Sequence, residues 1–325
     1  MNLWSVLQSG VEFNKEAVDW NELAKLLVEH KLAGYFFQRW GDVAPQEIRP
    51  LLRTQWAAQR MRNEIHINEF DNIRSVFRHS GMEAIGLKGV ALVPLLYPDL
   101  GSRYMSDIDV LVQGVENEDI VSAMAGLGYT RMPDKKWWAN DFKLLFAKET
   151  GGLDLTVEFH SRLFAKEPKG FTWRADPEDP SMLMPAHMVI HLCGHLAYQH
   201  TFLKAFWLLD LDLYARAFEY RIDWDQVERE SESLGLERSV ASALAFSRER
   251  LGTPVPEHIK VSSVVERLID QNFESKGSPL WSRYVLKHLV KDSLGDSIGY
   301  DIGWLKNKLF GSLSDDDSKD EPPAT

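Results

Sequence analysis

The segment Ser106-Asp107-Ile108-Asp109-Val110-Leu111-Val112 places two acids in alternation within a β-branched run. In an extended chain, residues i and i+2 point the same way, about 6.6 Å apart. Asp107 and Asp109 are therefore expected on one sheet face, with Ile108 and Val110 on the other. Leu153 to His160 repeats the alternation: Asp154, Thr156, Glu158 and His160 against Leu153, Leu155, Val157 and Phe159. If these strands adjoin, three or four carboxylates converge. Two like charges 4 Å apart repel by about 4 kcal/mol at an effective dielectric near 20. Such a cluster must be protonated, solvated or occupied by cations.

Mg²⁺ is the economical occupant, because it takes carboxylate oxygens and shares its remaining positions with water and substrate phosphates. Two such ions can activate an attacking oxygen and stabilise a departing pyrophosphate. By itself an Asp-x-Asp pair is equally the solvated face of an edge strand, so context decides. Leu87-Lys88-Gly89 lies upstream, with seventeen residues between Gly89 and Asp107. A glycine at a strand-to-helix junction lets backbone amides approach a phosphate, and the helix N-terminus favours its charge. Lys88 and Arg103 are candidates to bind triphosphate oxygens. There is no Gly-x-x-x-x-Gly-Lys-[Ser/Thr] loop.

The flanking sequence reads as helix. Residues 1–80 carry Phe36, Phe37 and Trp40 before a glycine, and a stripe of Ile65, Phe70, Ile73, Val76 and Phe77 that stops at Gly81. Residues 81–170 form an α/β segment. Ala84–Leu87 and Ile108–Val112 are expected as strands, and Val90–Tyr97 and Glu116–Leu127 as helices. Phe142–Ala147 and Leu153–His160 are expected as a hairpin closed by Gly151-Gly152. Residues 171–311 read as helices, and the acidic, proline-containing stretch 312–325 as disordered.

His187, His191 and His195 follow at i, i+4 and i+8, with His200 beyond. Their outer members are about 12 Å apart along a helix axis, so three in line do not converge on one ion. This helix is expected beside the sheet, with its histidines near the acids. His160 is expected at the site through its shared face with Glu158. Asp210 and Asp212 repeat the Asp-x-Asp spelling at helical positions, where they diverge. Trp137-Trp138, after Lys135-Lys136, is a weaker candidate for stacking on a base.

No window approaches the ~18 apolar residues of a membrane helix, the N-terminus lacks a basic-then-apolar leader, and Cys193 is the single cysteine. These features lead to the expectation of a cytoplasmic protein without membrane association. Net charge is −11, and the last eleven residues contribute five acids against one lysine. The mildly acidic remainder argues against long nucleic acid as a partner, since that surface needs clustered Lys and Arg.

The run Leu87-Lys88-Gly89, Tyr97, Arg103, Ser106 to Val112 and Val157-Glu158-Phe159-His160 resembles the bacterial uncharacterised nucleotidyltransferase family of the polymerase-β superfamily. The likeness continues through His187–His195 to Leu209-Asp210-Leu211 and Ile222-Asp223-Trp224. It implies an α+β fold: a polymerase-β-like core with a small mixed sheet, N-terminal helices and a large helical C-terminal region. It further implies Asp107 and Asp109 as the metal dyad and Glu158 as the carboxylate that deprotonates or orients the attacking group. Gly89 would stand in the phosphate-binding turn, and Asp210 would hold the histidine helix.

The implied reaction moves a nucleoside monophosphate from an NTP, with Mg²⁺, to an acceptor that is a small molecule, RNA or protein. Two departures stand out: Lys88-Gly89 replaces the superfamily's Gly-Ser, and the interval to the dyad is longer. They leave two alternatives: a non-catalytic nucleotide-binding or regulatory module, or a toxin-type nucleotidyltransferase of a toxin–antitoxin or antiphage system.

Overall fold

The computed structural model describes residues 3–8, 18–133, 142–164, 167–274 and 279–293. Met1–Asp292 forms one compact unit. The expected disordered stretch 312–325, Lys135-Lys136 and Trp137-Trp138 lie outside the described residues.

Four helices open the chain: α1 (Leu3–Leu7), α2 (Trp20–Glu29), α3 (Ala33–Trp40) and α4 (Arg49–His79). The last begins well before the apolar stripe that announces it. Its C-terminal half buries Phe70, Ile73 and Phe77. Its N-terminal half instead presents Trp56, Gln59 and Asn63 to the loop before the dyad, so hydrophobic periodicity does not register it. Trp56 Nε1 donates to Asp99 Oδ1 (2.7 Å), Gln59 to Met105 O (3.2 Å), and Asn63 Nδ2 to Leu100 O and Arg103 O (2.7 and 2.8 Å). A long polar helix face thus fixes the approach to Asp107.

Next come β1 (Ile85–Gly86), α5 (Lys88–Leu96), β2 (Ile108–Leu111), α6 (Asn117–Gly126), β3 (Thr130–Arg131), β4 (Lys143–Thr150) and β5 (Leu153–His160). They form a five-stranded sheet of order β1-β2-β5-β4-β3. It is mixed: β2 and β5 run parallel, while the other neighbours are antiparallel. The hairpin closes as expected, with Gly151 and Gly152 at φ +60° and +79° and Thr150 opposite Leu153. Two positive φ angles in a two-residue loop are what a type I′ turn requires. The α5 helix starts at Lys88, two residues before the expected Val90, which moves Pro94 beyond its first turn.

Strand alternation sorts the two faces. Ile108, Val110, Leu144, Phe146, Val157 and Phe159 pack against Phe70, Ile73 and Phe77 of α4 and Ile120 and Met124 of α6. Phe77 and Phe159 stack at 5.2 Å. The opposite face carries Asp109, Leu111, Glu158 and His160, and Leu111 joins a larger apolar cluster with the C-terminal helices. Those helices are α7 (Pro185–Cys193), α8 (Ala205–Ala217), α9 (Trp224–Ser233), α10 (Glu237–Leu251), α11 (Ser263–Gln271) and α12 (Leu280–Leu289). A π-helical segment, Gly194–Gln199, continues α7.

One buried pair ties the α/β segment to this helical region. Arg103 grips Asp210 of α8 with two bonds, Nε to Oδ1 (2.8 Å) and Nη2 to Oδ2 (2.7 Å), and Tyr97 OH donates to Oδ1 (2.6 Å). Asp210 therefore holds Arg103 and Tyr97, where the sequence suggested a role in holding the histidine helix. Removing one partner of a buried pair leaves an uncompensated charge. Arg103→Leu is expected to cost about 3 kcal/mol, seen as a lower urea midpoint. Arg103→Lys should recover little of this, because an ammonium cannot reproduce the two-pronged geometry.

Candidate functional site

Parallel pairing aligns Asp109 with Glu158 and Leu111 with His160. Asp109, Glu158 and His160 thereby meet on one face, each offering a ligand atom within 4.8 Å of the others. Asp107 lies one residue before β2, half-buried, and accepts the Ser106 hydroxyl on Oδ1 at 3.1 Å. It stands outside that tight trio, although its charge is felt by Lys88 and shaped by Asp109 and Glu158. Asp154 is exposed at the hairpin end and does not join the cluster.

Nitrogen groups already sit against these acids. Lys88 Nζ donates to Asp109 Oδ1 at 2.9 Å, and His160 Nε2 reaches the same oxygen at 2.9 Å. Lys143 Nζ pairs with Glu158 Oε1 at 2.9 Å, leaving Oε2 3.6 Å from His160 Nε2. Burial alone would favour a protonated Asp109, but Lys88 and His160 hold its carboxyl well below the usual range. Burial works against the Lys88 ammonium too, yet Asp109, Asp107 and Glu158 keep it above an ordinary lysine. Asp107 has no such close partner. Burial, reinforced by the charge of Asp109, pushes it up to about 6.

The turn that delivers Lys88 is tightly built. Leu87 N donates to Asp109 O at 3.0 Å, which stitches the turn to β2. Lys88 then adopts φ +49°, a left-handed conformation that a side chain rarely takes. At Gly89 an added Cβ would fall 2.5 Å from Met105 Sδ and 2.7 Å from Arg103 Nη1, so a larger residue would have to push Met105 and the Asp210-bound Arg103 aside. The first amides of α5 have no intrahelical acceptor, and Leu87 supplies no side-chain cap. Lys88, Gly89 and His160 therefore lie with the carboxylates. Arg103 does not offer a free guanidinium: it sits beneath Gly89, filled by Asp210 and by Tyr104 O (3.0 Å).

The histidine helix divides by function. His187 is structural: its Nδ1 accepts from Arg174 N at 2.8 Å, and its Nε2 lies 2.7 Å from Glu230 Oε2. His191, His195 and His200 instead lie within electrostatic reach of Lys88. Asp212 is also structural, bonded to Arg216 and Thr253.

Sequence reasoning missed Lys143, Asn63, Gln59 and Asp99. Lys143 was recoverable: counting back from the two-residue Gly151-Gly152 turn pairs it with His160. The other three serve a loop, where no periodicity marks them.

Asp109, Glu158 and His160 form a donor set that could hold a metal ion, and the ammonium of Lys88 already stands against Asp109.

A sequence profile described as uncharacterised nucleotidyltransferase matches residues 16–252, most of the chain. The chain belongs to this nucleotidyltransferase family. No curated protein and no solved structure matches it. The profile spans both the carboxylate face and the histidine helix.

The raised Asp107 makes a stability prediction. Burial and the Asp109 charge hold its carboxyl up at about 6, above the ordinary 3.8 of an aspartate, so the folded state loses stability as pH climbs between those values and bears the full penalty above 6. Asp107→Asn removes that penalty. Without divalent cations, the variant is expected to gain about 2 kcal/mol at pH 7.5, about half of that at pH 5, and nothing below pH 3, read by thermal melting.

Proposed function

We propose that this chain moves a nucleoside monophosphate from an NTP to an acceptor hydroxyl or phosphate, with Mg²⁺ held by Asp107, Asp109 and Glu158. The observation that carries this reading is the register of β2 and β5, which puts Asp109 beside Glu158 under the N-terminus of α5. When bound, the cation would supply charge to offset the phosphates and the departing pyrophosphate.

The remaining work falls to the chain's own groups. The Lys88-Gly89 turn offers unpaired amides and an ammonium to the phosphate oxygens. Glu158 Oε1 is held by Lys143, so Oε2 is the atom available to take the acceptor's proton. His160 keeps Asp109 ionised and correctly turned. As the acceptor oxygen bonds the α-phosphorus, the bond from that phosphorus to the bridging oxygen breaks, and pyrophosphate leaves with the electron pair.

The test is transfer of α-phosphate label from each NTP to acceptor pools in the presence of Mg²⁺. Asp109→Asn is expected to lower transfer by roughly 100-fold or more, while Asp154→Asn leaves it unchanged. Intact protein that neither consumes nor binds any NTP sinks the reading.

A second reading has its own observation. Lys88 holds Asp109 Oδ1 at 2.9 Å, the oxygen that His160 also reaches, so this side of the carboxylate is already taken. A nucleotide-sensing module that never exposes Asp109 would show NTP binding without pyrophosphate release, and that binding would be indifferent to Asp109→Asn.

A further inference from the structure

His191 is 3% exposed, and neither ring nitrogen has a hydrogen-bond partner among the described residues. A neutral imidazole carries one N–H and one lone pair, and burying both unmatched is costly. The inner end of this helix face therefore calls for polar atoms that the chain does not supply there.

His191 is the first rung of an aromatic ladder. Its ring lies 6.2 Å from that of His195, near-parallel at 30°. His195 meets His200 edge-on at 4.5 Å and Trp207 at 4.8 Å. His200 and Trp207 stack on each other at 4.5 Å and 28°. The ladder begins buried and ends half-buried, since His200 and Trp207 both keep partial exposure. The π-helical segment Gly194–Gln199 widens the turn between its rungs, a distortion that often marks functional sites.

Hydrogen bonding fixes one tautomer. Gln199 Nε2 donates to Leu163 O at 2.9 Å, so its Oε1 faces His195 Nδ1 at 3.0 Å and accepts from it. His195 therefore keeps its lone pair on Nε2. Burial, with the Lys88 charge added, depresses all three imidazoles: His191 to about 3, His200 to about 4, and His195 well below its usual value. The ladder thus contributes donors, acceptors and π-faces beside the carboxylates, but no positive charge. A phosphate seeks cations; a neutral planar heterocycle seeks this.

We propose that the His191–His195–His200–Trp207 ladder is the subsite for the nucleobase, which stacks at the Trp207–His200 end and directs its polar edge toward His195 and His191. This rests on the nucleotide reading above and adds where the base goes. Stacking on an aromatic face tolerates any base, so selection among bases falls to the imidazole nitrogens.

The experiment compares, on the full chain by calorimetry, each NTP with inorganic tripolyphosphate, which has the phosphates and no base. Both probes are titrated with Mg²⁺ present. At least one NTP is expected to bind wild type about tenfold or more tighter than tripolyphosphate. Trp207→Leu should erase that margin without weakening tripolyphosphate. His191→Phe should narrow it, and His191→Asn, which restores a donor and an acceptor, should widen it again. Asp109→Asn should weaken both probes together.

If wild type binds tripolyphosphate and every NTP equally, the base subsite is overturned and the phosphate site stands. If wild type binds neither, the nucleotide reading falls and this proposal falls with it. Equal loss of both probes in Trp207→Leu also overturns it. The wild-type comparison needs no variant, so a His191 substitution that fails to fold leaves the test intact.

Discussion

Parallel pairing of β2 with β5 is the constraint on which the site depends. A parallel pair cannot be closed by a tight turn, and here the connection from Leu111 to Leu153 contains α6, β3 and β4. The chain accepts that long excursion, and the result is a register with Asp109 beside Glu158. Because the side-chain period of a strand is two, a slip of one residue would send these acids into the apolar layer of α4 and α6. The same layer prevents the slip: Ile108, Val110, Val157 and Phe159 fit it only in the observed register. Core packing and acid placement are thus one decision, taken on opposite faces.

Charge on the acidic face is balanced locally. Lys88 and His160 converge on Asp109, and Lys143 holds Glu158. Asp107 is left over, and its raised protonation follows. The face is thereby prepared for a cation without being starved of one. On the far side of the turn, Arg103 and Asp210 pair with each other in the buried interior.

How much of this was legible in the sequence depended on whether the cause was local. Alternation in Asp107–Val112 and Leu153–His160 is local, and it announced the strands, their faces and the meeting of Asp109, Glu158 and His160, while Asp107 falls just before β2 and outside that trio. The Gly151-Gly152 turn announced the hairpin for the same reason. Arg103 was misleading because its type suits a phosphate, whereas its partner Asp210 lies over a hundred residues away in the chain. The polar half of α4 was silent because it exists to bond a loop and carries no apolar period. His191 looked like its neighbours His187 and His195; only packing shows that His187 Nδ1 accepts from Arg174 N and its Nε2 lies against Glu230, while neither nitrogen of His191 has a partner among the described residues.

Lys88 joins backbone shape to charge. A left-handed non-glycine residue stores on the order of 1–3 kcal/mol, and here the ammonium resting on Asp109 offsets it. Turn and carboxylate are consequently linked variables. Whatever takes the place of the ammonium on Asp109 also releases the latch on the turn, so the shape of the α5 N-terminus reports what Asp109 is bound to. A glycine at position 88 would rest in that shape unforced, and the report would be lost.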